Sequence, residues 1–301
     1  MNLHNIAQSL KKEVKGSINV SESMSQHTTW RIGGPADLFY TPIDWEDLVK
    51  ALKFANFEKL PITVIGGGSN LLVKDEGIRG LVINICGLKK LKINGEEICA
   101  QGGVKLPYLA SQAAVRGLTG LEFAAGIPGT VGGAVVMNAG AHGSSMSDVI
   151  AGVVVLDYQG RLSHYNTSDL GFTYRSSKLK SDKGIVIESN LKLAIGNPWE
   201  IKNKIQKNID FRKANQPWEY PNAGSVFKNP PGDSAGRLIE AVGAKGWQIG
   251  GVEVSHKHAN FFINMKGASC RDVLDLIEKV QTEVYLKFNI LLEPEVLILG
   301  G

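Results

Sequence analysis

Gly120 to Gly143 reads GLEFAAGIPGTVGGAVVMNAGAHG, with seven glycines, five alanines and neither lysine nor arginine. Gly126, Gly129 and Gly132 fall three apart around Pro128. Such density disfavours a helix, because each interior glycine costs about 1 kcal/mol relative to alanine. An exposed linker would not carry Phe123, Ile127, Val131, Val135, Val136 and Met137. The stretch therefore predicts buried backbone in tight turns, pruned so that something can approach the main chain. Successive free N–H groups in such turns suit anionic oxygens, the pyrophosphate of a dinucleotide among them. A small-residue packing seam is the other reading, and this stretch alone does not choose between them.

A second glycine cluster stands upstream. Residues 62–65, ITVI, predict a buried strand running into Gly66-Gly67-Gly68-Ser69-Asn70-Leu71. A strand followed by glycines suggests a dinucleotide fingerprint, but Leu71 stands where the third glycine is required. The downstream run KDEGIRGLVIN predicts a turn and a strand where that motif needs a helix. No GxxxxGK[ST] occurs either, so a P-loop is excluded. The GGGSN turn can still offer backbone donors to a phosphate or a sugar.

Outward from these clusters the chain alternates helices and short strands. Residues 3–14 predict an amphipathic helix. Trp30 and Ile32 precede a turn at Gly33-Gly34-Pro35. Asp44 caps a helix over 45–56, with Asp47 at its third position. Short strands fill 81–103, including a hairpin at Asn94-Gly95. A helix comes next over 107–116. Residues 152–157 pair with 161–165, and 184–195 make one long strand. Asn197-Pro198-Trp199-Glu200 starts a helix that runs to about Asn215 and leads into a further domain. Four prolines in 216–231 predict irregular backbone. A helix over 235–242 ends at Gly243, and KGWQIGGVEVS and HKHANFFIN are strand-like. Ser269 and Asp272 cap a helix to about Phe288, with Val273, Ile277, Val280 and Val284 on one face. NILLEPEVLILG predicts a strand interrupted at Pro294. The expected class is α+β, with more strands than a doubly wound sheet needs.

Composition narrows the function. The 301 residues are 43% hydrophobic and 21% charged, enough for the cores of two or three soluble domains. The net charge of +4, without a Lys/Arg block, argues against nucleic acid and suits a polyanionic small substrate. Cys86, Cys99 and Cys270 lie far apart without a CxxC, so neither a disulfide framework nor a metal site is expected. The N-terminus has no signal-peptide core and no apolar run approaches a membrane span. A cytoplasmic protein is expected, monomeric or weakly oligomeric.

Three polar residues lack an obvious structural role: Arg175 in FTYRSS, Ser225 in NAGSVFKNP and Glu295 in LLEPEVLIL. A carboxylate buried in a strand must be paired or protonated. Each also has a plain alternative: an ion pair, a turn residue, an edge-strand charge. Arg212, Arg237, His256 and His258 stand in the same position, and nothing gives the histidines metal-ligand spacing.

Taken in order, HTTWRIGGPADLF, VIGGGSNLLVKDEGIRGLVI, the 120–143 stretch, FTYRSS, NAGSVFKNP, AGRLIEAVGAKGWQIGGVEVSHKHANFFIN and LEPEV resemble the UDP-N-acetylenolpyruvoylglucosamine reductase family of bacterial cell-wall synthesis. The resemblance implies a two-lobed FAD-binding domain of the vanillyl-alcohol-oxidase (p-cresol methylhydroxylase) type with a C-terminal α+β substrate domain. Its divisions would be 1–85 with 296–301 and 86–205 for the two lobes, and 206–295 for the UDP-sugar domain. It implies non-covalent FAD, NADPH as hydride donor, and UDP-N-acetylglucosamine enolpyruvate reduced to UDP-N-acetylmuramate. It places FAD against Ile65, Gly66, Gly67, Gly68, Ser69, Asn70 and Leu71. It also places it against Ala125, Gly126, Ile127, Pro128, Gly129, Thr130, Gly132, Gly133, Asn138 and Gly140. By motif, Arg175, Ser225 and Glu295 carry over as the catalytic trio, with Lys228, Asn229 and Arg237 toward the substrate and no metal. Some members insert a tyrosine-bearing segment between the FTYR and NAGS motifs. Here Arg175 and Ser225 are fifty residues apart, so the chain resembles the shorter type. The alternatives are another FAD oxidoreductase of this fold, with His142 as the nearest histidine for a covalent flavin, and a non-catalytic nucleotide-sugar binder.

Overall fold

A computed structural model describes residues 3–182 and 184–301. The chain forms two compact units. The first comprises residues 1–20, 38–67 and 80–212, and the second 21–37, 68–79 and 213–301.

The first unit is organised by a five-stranded antiparallel sheet. Its order is Leu162–Asn166, Ile150–Asp157, Gly184–Lys192, Glu97–Gln101, Leu91–Asn94. Ile98, Ala100, Val153, Val155 and Val186 pack with residues of the helix Leu106–Val115 and of the glycine-rich stretch. Val154, Leu156, Ile185 and Ile187 pack instead with Leu48, Leu52, Leu81 and Ile83. Alternating side chains thus give the central strands two buried faces. Ile62–Ile65 pairs in parallel with Leu81–Asn84.

Several expected elements form as read. Leu3–Glu13 and Trp45–Phe57 are helices, and the Asp44 side chain accepts from the Asp47 amide. Asn197 accepts from the Trp199 amide at the start of Pro198–Asn215. Other elements differ. The expected single strand over 184–195 is two, because the Leu193 amide turns to the Glu96 carbonyl and Ala194–Ile195 pairs with Leu118–Thr119. The hairpin at 94–97 has Gly95 and Glu96 as its loop, since Asn94 is still paired with Glu97. The glycine-rich stretch does hold a helix, Val131–Val136, despite Gly132 and Gly133. Burial of Val131, Ala134 and Val135 in the core offsets their poor propensity.

The second unit packs Ala235–Ala241 and Cys270–Phe288 with a three-stranded antiparallel sheet of Gln248–Ile249, Val252–Val254 and Phe262–Asn264. Ser269 and Asp272 form the expected capping box, and Asp75 accepts from the amides of Cys270 and Arg271. Val273, Ile277, Val280 and Val284 are buried, as the helical spacing requires. Trp30, fully buried, donates from its indole to the Phe262 carbonyl, and Asn264 donates to the Trp30 carbonyl. The strand expected at the C-terminal end is only Leu297–Leu299, parallel to Leu71–Val73. Pro294 has no N–H to give and bridges to Phe227 instead.

Asp47 is the polar hub of the first unit. Its carboxylate accepts from the amides of Lys15 (2.7 Å), Gly16 (2.9 Å) and Ile43 (3.3 Å) and from the Tyr40 hydroxyl (2.6 Å). Burial pushes the carboxyl pKa up, but the hydroxyl and the amides outweigh it and hold the group below its usual range. A carboxyl depressed in the fold contributes stability above the unfolded value, near 4, and loses it as pH falls through the folded value. Asp47→Asn should therefore cost about 1–3 kcal/mol at pH 7 by leaving donors opposed to donors. Its stability should also fall less than the parent's between pH 5 and pH 2, measured by urea unfolding.

Candidate active site

The glycines of the two clusters are cleared largely for other parts of the chain. A Cβ on Gly66 would stand 2.4 Å from the Thr130 hydroxyl, and one on Gly67 would lie 3.2 Å from the Gly129 Cα. Gly66 thus lies against the Thr130 side chain, and Gly67 against the Gly129 backbone. In the second unit Gly68, at φ +64°, would bring a Cβ to 1.8 Å from the His27 carbonyl oxygen. The Thr29 amide donates to the Gly68 carbonyl there.

The expected run of free amides is shorter than the sequence suggests. Val131 N–H donates to the Val104 carbonyl and Gly132 N–H to the Gly102 carbonyl. Both are therefore committed inside the fold. What stays open is Gly133, exposed, with nothing nearer to a would-be Cβ than the Thr130 hydroxyl at 3.6 Å. That hydroxyl oxygen is buried and without a hydrogen-bond partner. A buried orphan hydroxyl costs free energy until something pairs with it. Bare backbone at Gly133 beside an unpaired donor at Thr130 fits a phosphate-bearing cofactor such as FAD. Ile65 is buried at the end of its strand, and Leu71 lies in a strand of the second unit.

Asn138 and Gly140 hold the FTYRSS turn. Asn138, buried at φ +42°, donates to the Thr173 carbonyl (3.0 Å) and accepts from the Ser147 amide (3.0 Å). Ser177 donates to the Val136 carbonyl. Thr173 and Ser176 pair across the turn, which puts Arg175 at its tip in the left-handed region, φ +55°. A non-glycine residue there is uncommon and marks a constrained position. The Arg175 guanidinium donates to the Gly140 carbonyl (3.0 Å) and lies over the Tyr174 ring.

Ser225, Glu295 and Asn70 belong to one backbone framework in the second unit. Ser225 bridges to Phe261, and the next amide, Val226, donates to the Asn260 carbonyl. The Glu295 amide donates to the Val226 carbonyl at 2.7 Å. Asn70 donates from its side chain to the Glu295 carbonyl (3.0 Å), and its own carbonyl accepts from Leu297. Glu295 thus sits between its partner Val226 and the start of the final strand. It is half-buried, against the core position that the sequence suggests. Asn260, 3% exposed, was not singled out by the sequence. Its amide group accepts from Phe227 N–H and donates to Phe227 C=O, as a strand partner would. Nothing in HKHANFFIN marks it, because its partner lies 33 residues upstream.

The residues expected toward the substrate are engaged within the second unit. Lys228 forms an ion pair with Glu293. Asn229 accepts from the Ala235 amide. Arg237 pairs with Asp233, and that hydrogen bond holds the Asp233 pKa at about 2. His258 stacks on Phe261, and its Nδ1 accepts from the Asn260 amide. Burial first, then the charge of Lys245, lower its pKa. Among the described residues no cluster of His, Cys, Asp and Glu could hold a metal ion. Among them too, no helix is long and apolar enough to cross a membrane.

Residues 36–166 match the FAD binding domain family, and residues 216–299 match the family described as UDP-N-acetylenolpyruvoylglucosamine reductase, C-terminal domain. The UDP-N-acetylenolpyruvoylglucosamine reductase of Moorella thermoacetica is 48% identical over 300 residues, covering 100% of this chain and 99% of its own. That of Desulforamulus reducens is 49% identical over 296 residues, covering 98% of each. The crystal structure of the Thermus caldophilus reductase aligns at a TM-score of 0.82 and 37% identity, over 95% of this chain and 99% of that one. Physcomitrella patens BBE-like 1, at TM-score 0.50 and 19% identity over 64% of this chain and 44% of its own, shares the fold alone. The chain belongs to the UDP-N-acetylenolpyruvoylglucosamine reductase family.

Proposed function

We propose that Arg175, Ser225 and Glu295 carry out the reduction that defines this family. The chain is an FAD-containing, NADPH-dependent reductase acting on UDP-N-acetylglucosamine enolpyruvate in peptidoglycan precursor synthesis. Its fold is α+β, an FAD-binding domain of the vanillyl-alcohol-oxidase type with the family's C-terminal domain. The observation that carries the reading is the match to named reductases from end to end, across both domains.

Bound FAD supplies the two-electron relay between NADPH and the enolpyruvyl double bond. Addition at the terminal carbon leaves negative charge on the carboxylate-bearing carbon and its oxygens, as an enolate. A fixed cation lowers that charged state most where water is excluded. Arg175 is always charged and planar, and its strained turn fixes where it points. Glu295, in its neutral form, donates a second hydrogen bond to the enolate. A serine hydroxyl is a weak acid, but an enolate is a strong enough base to take its proton, and Ser225 delivers it. The hydrogen bond between Glu295 and Val226 couples the donor's backbone to that of the acid. Ile65 to Leu71, Ala125 to Thr130, Gly132, Gly133, Asn138 and Gly140 are the proposed cofactor contacts, with the Thr130 hydroxyl and Gly133 the openings for phosphate. Lys228, Asn229 and Arg237 are the proposed substrate contacts, and each would exchange a present partner for an oxygen of the substrate.

The proposed division of labour is 1–85 with 296–301 and 86–205 for the cofactor, and 206–295 for the UDP-sugar. The chain is the shorter type and has no inserted tyrosine segment to cover the uridine. A cytoplasmic monomer or weak oligomer, without nucleic-acid or membrane partners, fits the composition.

The purified protein should be yellow, and acid precipitation should leave the pellet colourless; colour in the pellet would favour a covalent flavin and the oxidase alternative. Ser225→Ala should keep the reduction of flavin by NADPH but slow the second half-reaction 10²–10⁴-fold, about 3–5 kcal/mol of barrier. Wild-type speed in both half-reactions, followed by stopped-flow absorbance, would return Ser225 to a turn residue. Glu295→Gln should slow the second half-reaction less than Glu295→Ala, because the amide still donates. Equal loss in both would remove the neutral-donor role.

A further inference from the structure

The helix Pro198–Asn215 presents Lys204, Asn208 and Arg212 one turn apart, and all three reach the segment Glu122–Gly126. Glu122 satisfies the first two. Its carboxylate lies 4.0 Å from the Lys204 ammonium, and its carbonyl accepts from Asn208 (3.1 Å). The third is different. Arg212 runs alongside Gly126, where a Cβ would stand 2.6 Å from its Cδ. Its Nε is buried and has no hydrogen-bond partner, and no carboxylate is paired with it among the described residues. Its ionisable neighbour is His142, whose ring packs edge-on to Phe211 and whose pKa is lowered by burial and then by the Arg212 charge. Burial alone lowers the guanidinium's own pKa, as expected for a cation lacking a counter-charge.

A desolvated guanidinium with an unpaired donor is costly unless an anion completes it. It lies at the near end of the glycine loop whose far end carries the orphan Thr130 hydroxyl. We propose that Arg212 receives a diphosphate, and that Gly126 is glycine to let this side chain pass. A diphosphate suits it because the planar fork pairs two oxygens at once, which a lysine cannot do. The inference rests on the proposed binding of FAD and a UDP-sugar, and both ligands carry that group.

The test measures binding by the full chain. Flavin-stripped protein is titrated with FAD by fluorescence quenching, and FAD-saturated protein with UDP-N-acetylglucosamine by flavin difference absorbance. Arg212→Met should raise one of the two dissociation constants about 10- to 100-fold. Arg212→Lys should fall between, keeping the charge but losing the fork. A rise for FAD assigns the cofactor's diphosphate, and a rise for the UDP ligand assigns the substrate's. Both constants within twofold of the parent's would overturn the proposal. Gly126→Ala, at a position without positive φ, should reproduce the same loss by displacing the side chain, and adding Arg212→Met to it should cost little more. Gly126→Ala, together with Arg212→Lys, decides the matter even if Arg212→Met fails to fold. A parent protein that binds neither ligand would instead sink the proposed function.

Discussion

Main chain lies against main chain where Gly67 meets Gly129, a gap that a Cβ on Gly67 would narrow to 3.2 Å. That contact constrains the rest of the first unit. It fixes the end of the strand Ile62–Ile65 against the loop that leads into Val131–Val136. It also leaves the Thr130 hydroxyl buried against Gly66, with no protein group to bond. The close approach therefore creates both the rigidity and the unmet hydrogen-bonding capacity that a cofactor phosphate can use. At Gly66, Gly67 and Gly68 the space a side chain would need is taken by other parts of the chain.

The second unit solves a related problem with hydrogen bonds. Ser225 lies in a stretch with no regular element, rich in proline and unable to build a ladder. Its order comes from outside: Asn260 brackets Phe227, Phe261 bridges Ser225, and Glu295 binds Val226. Asn70 closes the arrangement on the far side of Glu295. In the role proposed for Ser225 this support matters, because about an ångström of drift can cost two orders of magnitude in rate.

Much of the local architecture was legible in the sequence. Helix caps at Asp44 and Ser269, the proline-led start after Asn197 and the buried stripe from Val273 to Val284 depend on neighbours within a few residues. What escaped depends on distant ones. The strand switch at Leu193 answers to Glu96, and the short helix at 131–136 survives through its packing rather than its composition. The site divides the same way. Motifs pointed to Arg175, Ser225 and Glu295, whereas the strain at Arg175, the bracket of Asn260 and the isolation of Arg212 emerge only when remote segments meet. The glycines were legible as close approach, but not whether chain or ligand does the approaching.

The discontinuity of the second unit bears on how the protein is made. Trp30 is fully enclosed, and its indole bonds a carbonyl 232 positions later. At a ribosomal pace of about 5–20 residues per second, that partner emerges roughly 10–50 s after the tryptophan does. Through that interval a large aromatic and its flanking segments have no place to settle. The first unit, whose last segment ends at residue 212, can close well before. Segments 21–37 and 68–79 thus wait for 213–301, and the second unit is the last part of the molecule that translation allows to assemble.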